Sequence, residues 1–274
     1  MYNNYAIFTE EHKIVILGFS ANPQRPSTYE ARIRLMELSR QAGYICHRFE
    51  ELPQDGAGID LLVVVGGDGA LIRRAKEASI WNVPLMGVNL GRIGFLSEVC
   101  EADFPEALRR YSIGEYYLDE RAMLDCSLNG EYMYSCLNDV LVFKHSFSGV
   151  TQMELFVNGE SVGTLFGDGV VAASPTGATG YSLSAGGPIV AGELRAMLVT
   201  PICPHTLHMR PIATSIDSSV VVKVVDKAVL AGDGVRLAEL NSGDSVAVTG
   251  SKRSVKLVRF ERNSLFRRIR ERLT

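Results

Sequence analysis

Four residues in the first third of the chain have the types and spacing to do chemistry: Gly66-Gly67-Asp68-Gly69, directly after the apolar Val63-Val64-Val65. The apolar run reads as a buried strand and the chain beyond it as a helix, so the tetrad is the turn between them. In open α/β sheets, ligands bind in the crevice outside the carboxyl ends of the strands. Glycines let the backbone turn sharply and come close to a phosphate, and a new helix offers unpaired N–H groups to an anion. Asp68 is odd in such a cradle, because it sets a carboxylate where phosphate would go. It needs a partner: a bound Mg²⁺, or a hydroxyl whose proton it takes. A tight turn with Asp68 as helix N-cap explains the same residues without chemistry.

A second cluster occupies residues 167–190. Ser174, Thr176, Thr179, Ser182 and Ser184 lie among glycines there, with Tyr181 the only aromatic. Small hydroxyl side chains on glycine-rich backbone supply many hydrogen-bonding groups at low steric cost, and a single ring can stack on a base. A long β-domain loop with ordinary Ser/Thr turns has the same composition. Other patterns carry less. No G-x-x-x-x-G-K-[ST] occurs, which excludes a P-loop enzyme. Residues 167–172 match G-x-G-x-x-A, but β-branched residues rather than a helix surround them. Cys203, His205 and His208 resemble metal ligands, yet they sit in a Pro-rich connector with no fourth ligand at motif spacing. Trp81 reads as a cap on the core, and Met133, Met153 and Met197 as core fillers.

The elements that must position these residues fall into two groups. Strands over 13–19, 44–49, 60–65 and 83–88 alternate with helices over 27–41, 69–79 and 104–111, the rhythm of an open, mostly parallel sheet with helices on its faces. Beyond residue 112 the pattern turns strand-like, over 116–128, 132–143, 153–157, 169–173, 216–225, 229–230, 235–238 and 245–249. Asn129-Gly130 and Asn158-Gly159 are hairpin signals. Only 183–198 has helical possibilities, interrupted by Gly186-Gly187-Pro188. The expected fold is an α/β N-terminal domain plus a mainly β, sandwich-like C-terminal domain. The α/β domain spans 1–112 and is joined by a returning segment, 251–274, with a strand and a helix over 255–274; the β domain spans 113–250.

The chain has 274 residues, 46% hydrophobic and 22% charged, which is enough for about two ordinary domains and excludes disorder and disulfide-scaffold classes. No apolar run approaches a membrane span and no secretory signal is visible, so no membrane association is expected. Five scattered cysteines without a C-x-x-C pair fit reduced thiols in a cytoplasmic protein. A net charge of −3 gives no reason to expect nucleic acid as a partner. Residues 251–274 nonetheless carry nine Lys/Arg against Glu261 and Glu271, the pattern of an amphipathic helix with Leu265, Phe266 and Ile269 facing the protein.

The motifs GGDG (66–69), GVNLGRIGFLSEV (87–99), LNDV (137–140), the block 167–190 ending in SAGGPIV, and TPICPHTLHMRPI (200–212) together resemble the NAD kinase family. GGDG alone also occurs in diacylglycerol and sphingosine kinases, which makes a lipid kinase the alternative enzyme; a catalytically silent dinucleotide sensor is the alternative outside enzymes. The resemblance implies phosphorylation of the 2′-hydroxyl of the adenosine ribose of NAD, with ATP or polyphosphate as donor and a divalent metal, magnesium or manganese. It makes Asp68 the proton acceptor or a metal ligand, and Gly69 and Arg73 contacts near the phosphates. Phe95 would line the adenine side, and Asn138 and Asp139 would hold ribose hydroxyls. Asp168, Thr176, Thr179, Gly180, Tyr181, Ser182, Leu183 and Ser184 would form the dinucleotide-contacting block, and Asp233 a late segment near the site. The family also implies a homodimer or homotetramer built through the β domain, with a neighbouring subunit completing the dinucleotide site. The 219–225 strand, with only Lys223 as a blocking charge, is the expected edge. The sequence departs from the family pattern at Ala70, Asp139, Ala178, Gly180 and Val235, where a Thr, a Glu, a Ser, an Ala and a Gln are usual.

Overall fold

The computed structural model describes residues 15–91, 94–206, 208–261 and 269–270. Strands β1 (Ile16–Ala21), β2 (Ile45–Arg48), β3 (Leu61–Val65) and β4 (Leu85–Asn89) pair in parallel, in the order β4-β3-β1-β2. Helices α1 (Pro26–Gln41), α2 (Asp68–Trp81) and α3 (Phe104–Ser112) cover them, and the two-residue β5 (Val99–Cys100) extends the sheet beside β4. All five side chains of β3 are buried, which is why its sequence is continuously apolar rather than alternating. Val63 and Val65 pack with Leu35 and Met36 of α1 and Phe104 and Leu108 of α3. Leu62 and Val64 pack on the other face with Leu71, Ala75 and Ala78 of α2. At roughly 1.5–3 kcal/mol for each fully buried aliphatic side chain, this double-sided burial fixes the carboxyl end of β3 firmly.

The rest of the chain is antiparallel. Its strands are β6 (Tyr117–Leu128), β7 (Glu131–Cys136), β8 (Asp139–Lys144), β9 (Thr151–Val157), β10 (Glu160–Gly167), β11 (Gly169–Ala173), β12 (Ala196–Ile202), β13 (Ile212–Ser215), β14 (Val220–Val224), β15 (Ala228–Gly232), β16 (Val235–Leu240) and β17 (Ser245–Arg259). Six of them form a separate sheet, β13-β12-β11-β8-β15-β16, and the others join the parallel strands through β17. Val140, Val142 and Val170 from the six-stranded sheet meet Met153, Leu155 and Val222 from the other in one apolar core, a sandwich. β17 belongs to both halves. Val246 and Val248 pair in the sandwich; after a register shift between Gly250 and Ser254, Leu257 pairs in parallel with Leu85 of β4. Among the described residues, no helix is long and apolar enough to cross a membrane.

Several expectations change. Residues 132–143 form two strands, β7 and β8, broken at Leu137 and Asn138. The helical reading of 183–198 fails: a single helical turn, α4 (Tyr181–Ser184), is followed by irregular chain and then by β12. Gly186, at φ +88, supports no continued helix. Strands β10 and β13 had no counterpart in the expectations. β14, expected at an edge, lies between β9 and β17 and is interior. Residues 13 and 14, and Leu265 and Phe266 of the expected C-terminal helix, lie outside the described residues; 269–270 are helical.

Candidate active site

Asp68 is the first residue of α2 and Gly67 is its N-cap, so Asp68 is not the N-cap that a simple tight turn would make it. The carboxylate turns instead to the loop after the neighbouring strand β4. Oδ2 accepts the Phe95 N–H at 2.7 Å, and Oδ1 accepts the Leu96 N–H at 3.0 Å, the Ser97 N–H at 3.1 Å and the Ser97 hydroxyl at 3.3 Å. Ser97 Oγ also accepts the Gly94 N–H at 3.1 Å and an Asn89 amide hydrogen at 3.2 Å, which ties the loop to the end of β4. A Cβ on Gly94 would stand 1.7 Å from Asp68 Oδ1, so only glycine admits the carboxylate here. With one hydrogen bond on Oδ2 and three on Oδ1, Oδ2 is the oxygen with room to accept a further proton. Gly69 is exposed beside Asp68, and Arg73, one turn along α2, is exposed with its guanidinium 3.8 Å from where a Gly69 Cβ would be.

The facing wall comes from the break between β7 and β8. Asp233, left-handed at φ 48 in the β15–β16 turn, accepts the backbone N–H groups of Leu137 and Asn138, each at 2.7 Å, and of Asp139 at 3.1 Å. The Ser174 hydroxyl donates to the Leu137 carbonyl at 2.5 Å and accepts the Thr176 and Gly177 N–H groups, while the Ser174 N–H donates to the Asn138 carbonyl. Gly177 lies against that carbonyl; a Cβ there would stand 2.1 Å from it. Burial pushes the Asp139 carboxyl up to about 7, with the charge of Asp233 acting in the same sense. Burial also raises Asp233, against the pull of its three backbone hydrogen bonds. Two polar atoms here are buried without a hydrogen-bond partner: Asn138 Oδ1 and Thr176 Oγ1.

Phe95 and Leu96 from the first wall and Thr176 and Thr179 from the second line one cleft, with Asp119, Arg121 and Arg259. Of the expected site residues, Phe95, Thr176 and Thr179 line this cleft; Asp68 lies behind it on the N–H groups of residues 95–97, and Asn138, Asp139, Gly180 and Asp233 form one cluster with the Ser174 turn. Tyr181 is 42% exposed at the start of the α4 turn, and burial, with the charges of Cys203, Asp168 and Asp139, raises its hydroxyl. Leu183 is half-buried and Ser184 exposed on the same helical turn. Ser182 points inward: it is fully buried, hydrogen-bonded to Thr200 at 2.9 Å and packed on Gly187, so it holds the turn rather than a ligand. Asp168 stands at the other end of β11, roughly 20 Å of strand from Ser174, and is ion-paired with Lys144 at 2.7 Å.

Among the described residues no group of three His, Cys, Asp or Glu is placed to hold an ion on protein side chains alone. Asp68 is the carboxylate beside the proposed phosphate positions, and it accepts four hydrogen bonds from the 95–97 turn. Gly94 and Ser97 lie in the 87–99 motif without having been singled out as site residues, and Arg259 was not singled out either. The first two had a signal, since the loop after β4 must lie beside the loop after β3 at the sheet's carboxyl edge. Arg259 had none, being one arginine among many in a basic C-terminal stretch.

The chain is similar to known proteins. The ATP-NAD kinase N-terminal domain matches residues 47–116, and the ATP-NAD kinase C-terminal domain matches residues 137–260. The chain belongs to the NAD kinase family. An NAD kinase of Natranaerobius thermophilus is 34% identical, covering 94% of this chain and 97% of its own length. One from Heliobacterium modesticaldum is 37% identical over 94% and 98% of the two chains. Among solved structures, yeast NADH kinase complexed with NADH superposes at a TM-score of 0.86 with 24% identity, covering 95% of this chain and 87% of its own. An Archaeoglobus fulgidus NAD kinase in complex with ATP reaches 0.77 with 22% identity, over 93% and 99% of the chains. Those two likenesses bear on the fold, which is the two-domain fold of NAD kinases. Membership makes the chain a kinase of the NAD kinase family rather than a lipid kinase.

Proposed function

We propose that this chain transfers a phosphoryl group from ATP or polyphosphate to the 2′-hydroxyl of the adenosine ribose of NAD, giving NADP. The observation that carries the reading is one cleft lined by Phe95 and Leu96, whose N–H groups hold Asp68, and by Thr176 and Thr179. Asp68 has a free position on Oδ2, and in the Ser174 cluster two oxygens, Asn138 Oδ1 and Thr176 Oγ1, are buried without a partner. A buried acceptor without a donor is costly, and ribose hydroxyls are donors of the right size to satisfy these. Asp68 then orients the 2′-oxygen and takes its proton as the O–P bond forms and the bond to the leaving phosphate breaks. Because phosphoryl transfer passes through a loose transition state, this positioning is most of what the protein must supply. Asp139, Gly180 and Tyr181 surround the dinucleotide, and Arg73 and Gly69 lie toward the phosphates.

We further propose a homo-oligomer built through the β domain, in the cytoplasm. With β14 interior, its support is a different edge: Phe147 is fully exposed, and Phe166 of edge strand β10 lies across from Gln152, beside exposed Val150. Asp168 follows Phe166 by two residues, which suits it to a neighbouring copy's site. The domain division at 112 and 250 is supported by the bulge in β17 between Gly250 and Ser254. The test of function is to supply NAD with ATP, then with polyphosphate, then diacylglycerol with ATP, and to identify the product by phosphorus NMR. A 2′-phosphomonoester on the dinucleotide is expected; phosphorylation of the lipid alone would overturn the reading.

A further inference from the structure

We infer that Arg259 is a positioning residue for Asp68, acting through two peptide groups of the 95–97 turn; this rests on the reading of Asp68 as proton acceptor. The Leu96 N–H donates to Asp68 Oδ1 at 3.0 Å, and the carbonyl of the same peptide group, Phe95 O, lies 3.4 Å from Arg259 Nη2. The Ser97 N–H donates to Oδ1 at 3.1 Å, and its peptide partner, Leu96 O, accepts from Arg259 Nη1 at 2.8 Å. Each peptide unit is thus held at its oxygen by the guanidinium and presents its N–H to the carboxylate. A cation at the carbonyl end polarises the amide and strengthens the hydrogen bond at its other end. The guanidinium is also the rigid element, since its planar fork fixes both carbonyls at once.

The setting supports a placed group rather than a loose surface arginine. Arg259 is 2% exposed, and such a cation is costly to bury unless paired. It lies 3.2 Å from Asp119 and 3.5 Å from Glu98. Asp119 is itself clamped by both Arg121 donors, at 2.6 and 2.8 Å. Burial alone would raise the Asp119 carboxyl, yet Arg121 and Arg259 together hold it below the usual carboxylate range. Its neighbour in the core sequence, Leu257, pairs with β4, so β17 delivers Arg259 to the underside of the loop that β4 sends over Asp68.

The test is a double-mutant cycle between Arg259→Lys and Asp68→Asn, read as kcat, KM for NAD and thermal unfolding. Lysine keeps the charge but cannot fork to two carbonyls. Arg259→Lys is expected to lower kcat by about tenfold or more while KM for NAD stays within about threefold. In the Asp68→Asn background the same change should alter the residual rate by less than about twofold, because its target is gone. Equal losses in both backgrounds, or a loss confined to KM, would overturn the inference while leaving Asp68 in its role. Wild-type kcat in Asp68→Asn would overturn the Asp68 reading and this one with it. Should Arg259→Lys fail to unfold cooperatively, Asp119→Asn, which removes one anchor of the guanidinium, replaces it in the cycle with the same two criteria.

Discussion

Replacing Asp139 by asparagine should make the protein more stable at neutral pH, by an amount that grows with pH. The carboxyl is buried and sits near Asp233, and its proton leaves only at about 7 rather than at the ordinary 3.8. The unfolded chain loses that proton near pH 4, so between pH 4 and 7 the folded state binds more protons and its stability falls as pH rises. At about 1.4 kcal/mol per pH unit, the full cost above pH 7 is about 4 kcal/mol. Relaxation and partial hydration around the site bring the expected gain of Asp139→Asn at pH 8 to between about 2 and 4 kcal/mol. At pH 4 the gain should vanish, because both residues are then neutral. Urea unfolding of the two proteins from pH 4 to 8 reads this directly as a widening gap in midpoint. A gap that stays constant with pH, or that opens toward the acid side, would refute the reasoning.

The remaining predictions concern the loop, the ring and the assembly. Gly94→Ala should cost roughly 1–3 kcal/mol of stability by overpacking and lower kcat at least about a hundredfold by pushing the Asp68 carboxylate out of place, as read by unfolding and steady-state kinetics together. Tyr181→Ala should raise KM for NAD more than KM for the donor, by the equivalent of about 1–3 kcal/mol if the ring stacks on a base; an unchanged KM for NAD would count against it. Light scattering at micromolar concentration should give at least twice the mass of a single chain, and Phe147→Asp with Phe166→Asp should shift it downward; an active single-chain particle would contradict the assembly.

The division between what the sequence told and what it withheld has physical reasons. β3 and the turn after it were readable because a strand buried on both faces is apolar without interruption, and a glycine tetrad cannot continue it. The cluster around Ser174 was readable from composition as a loop rich in small hydroxyl residues, a pattern shared by ligand loops and ordinary turns. Its inward member, Ser182, was not separable from its neighbours, because side-chain direction in a single helical turn leaves no period to read. The break at Leu137 and Asn138 was invisible for a related reason: strand-forming residues on both sides, Tyr132 and Tyr134 before it and Val140 and Val142 after it, mask a corner fixed by Asp233, nearly a hundred residues away. Edge and interior strands share one composition, so β14 read as an edge until its two neighbours were seen. Arg259 acts across 163 residues on a carbonyl, and no local pattern encodes such a contact.

The central claim is that Asp68 takes the proton of the dinucleotide's 2′-hydroxyl during phosphoryl transfer. Single-turnover formation of NADP by Asp68→Asn, measured beside the binding of NAD to the same variant, tests it most directly. Asparagine keeps the shape and removes the charge and the basic oxygen. The account predicts that NAD binding survives within a few-fold while NADP formation falls by about 10²–10⁴, the range typical of a positioned general base. NADP formation at the wild-type rate, in a variant that binds NAD normally, would contradict it.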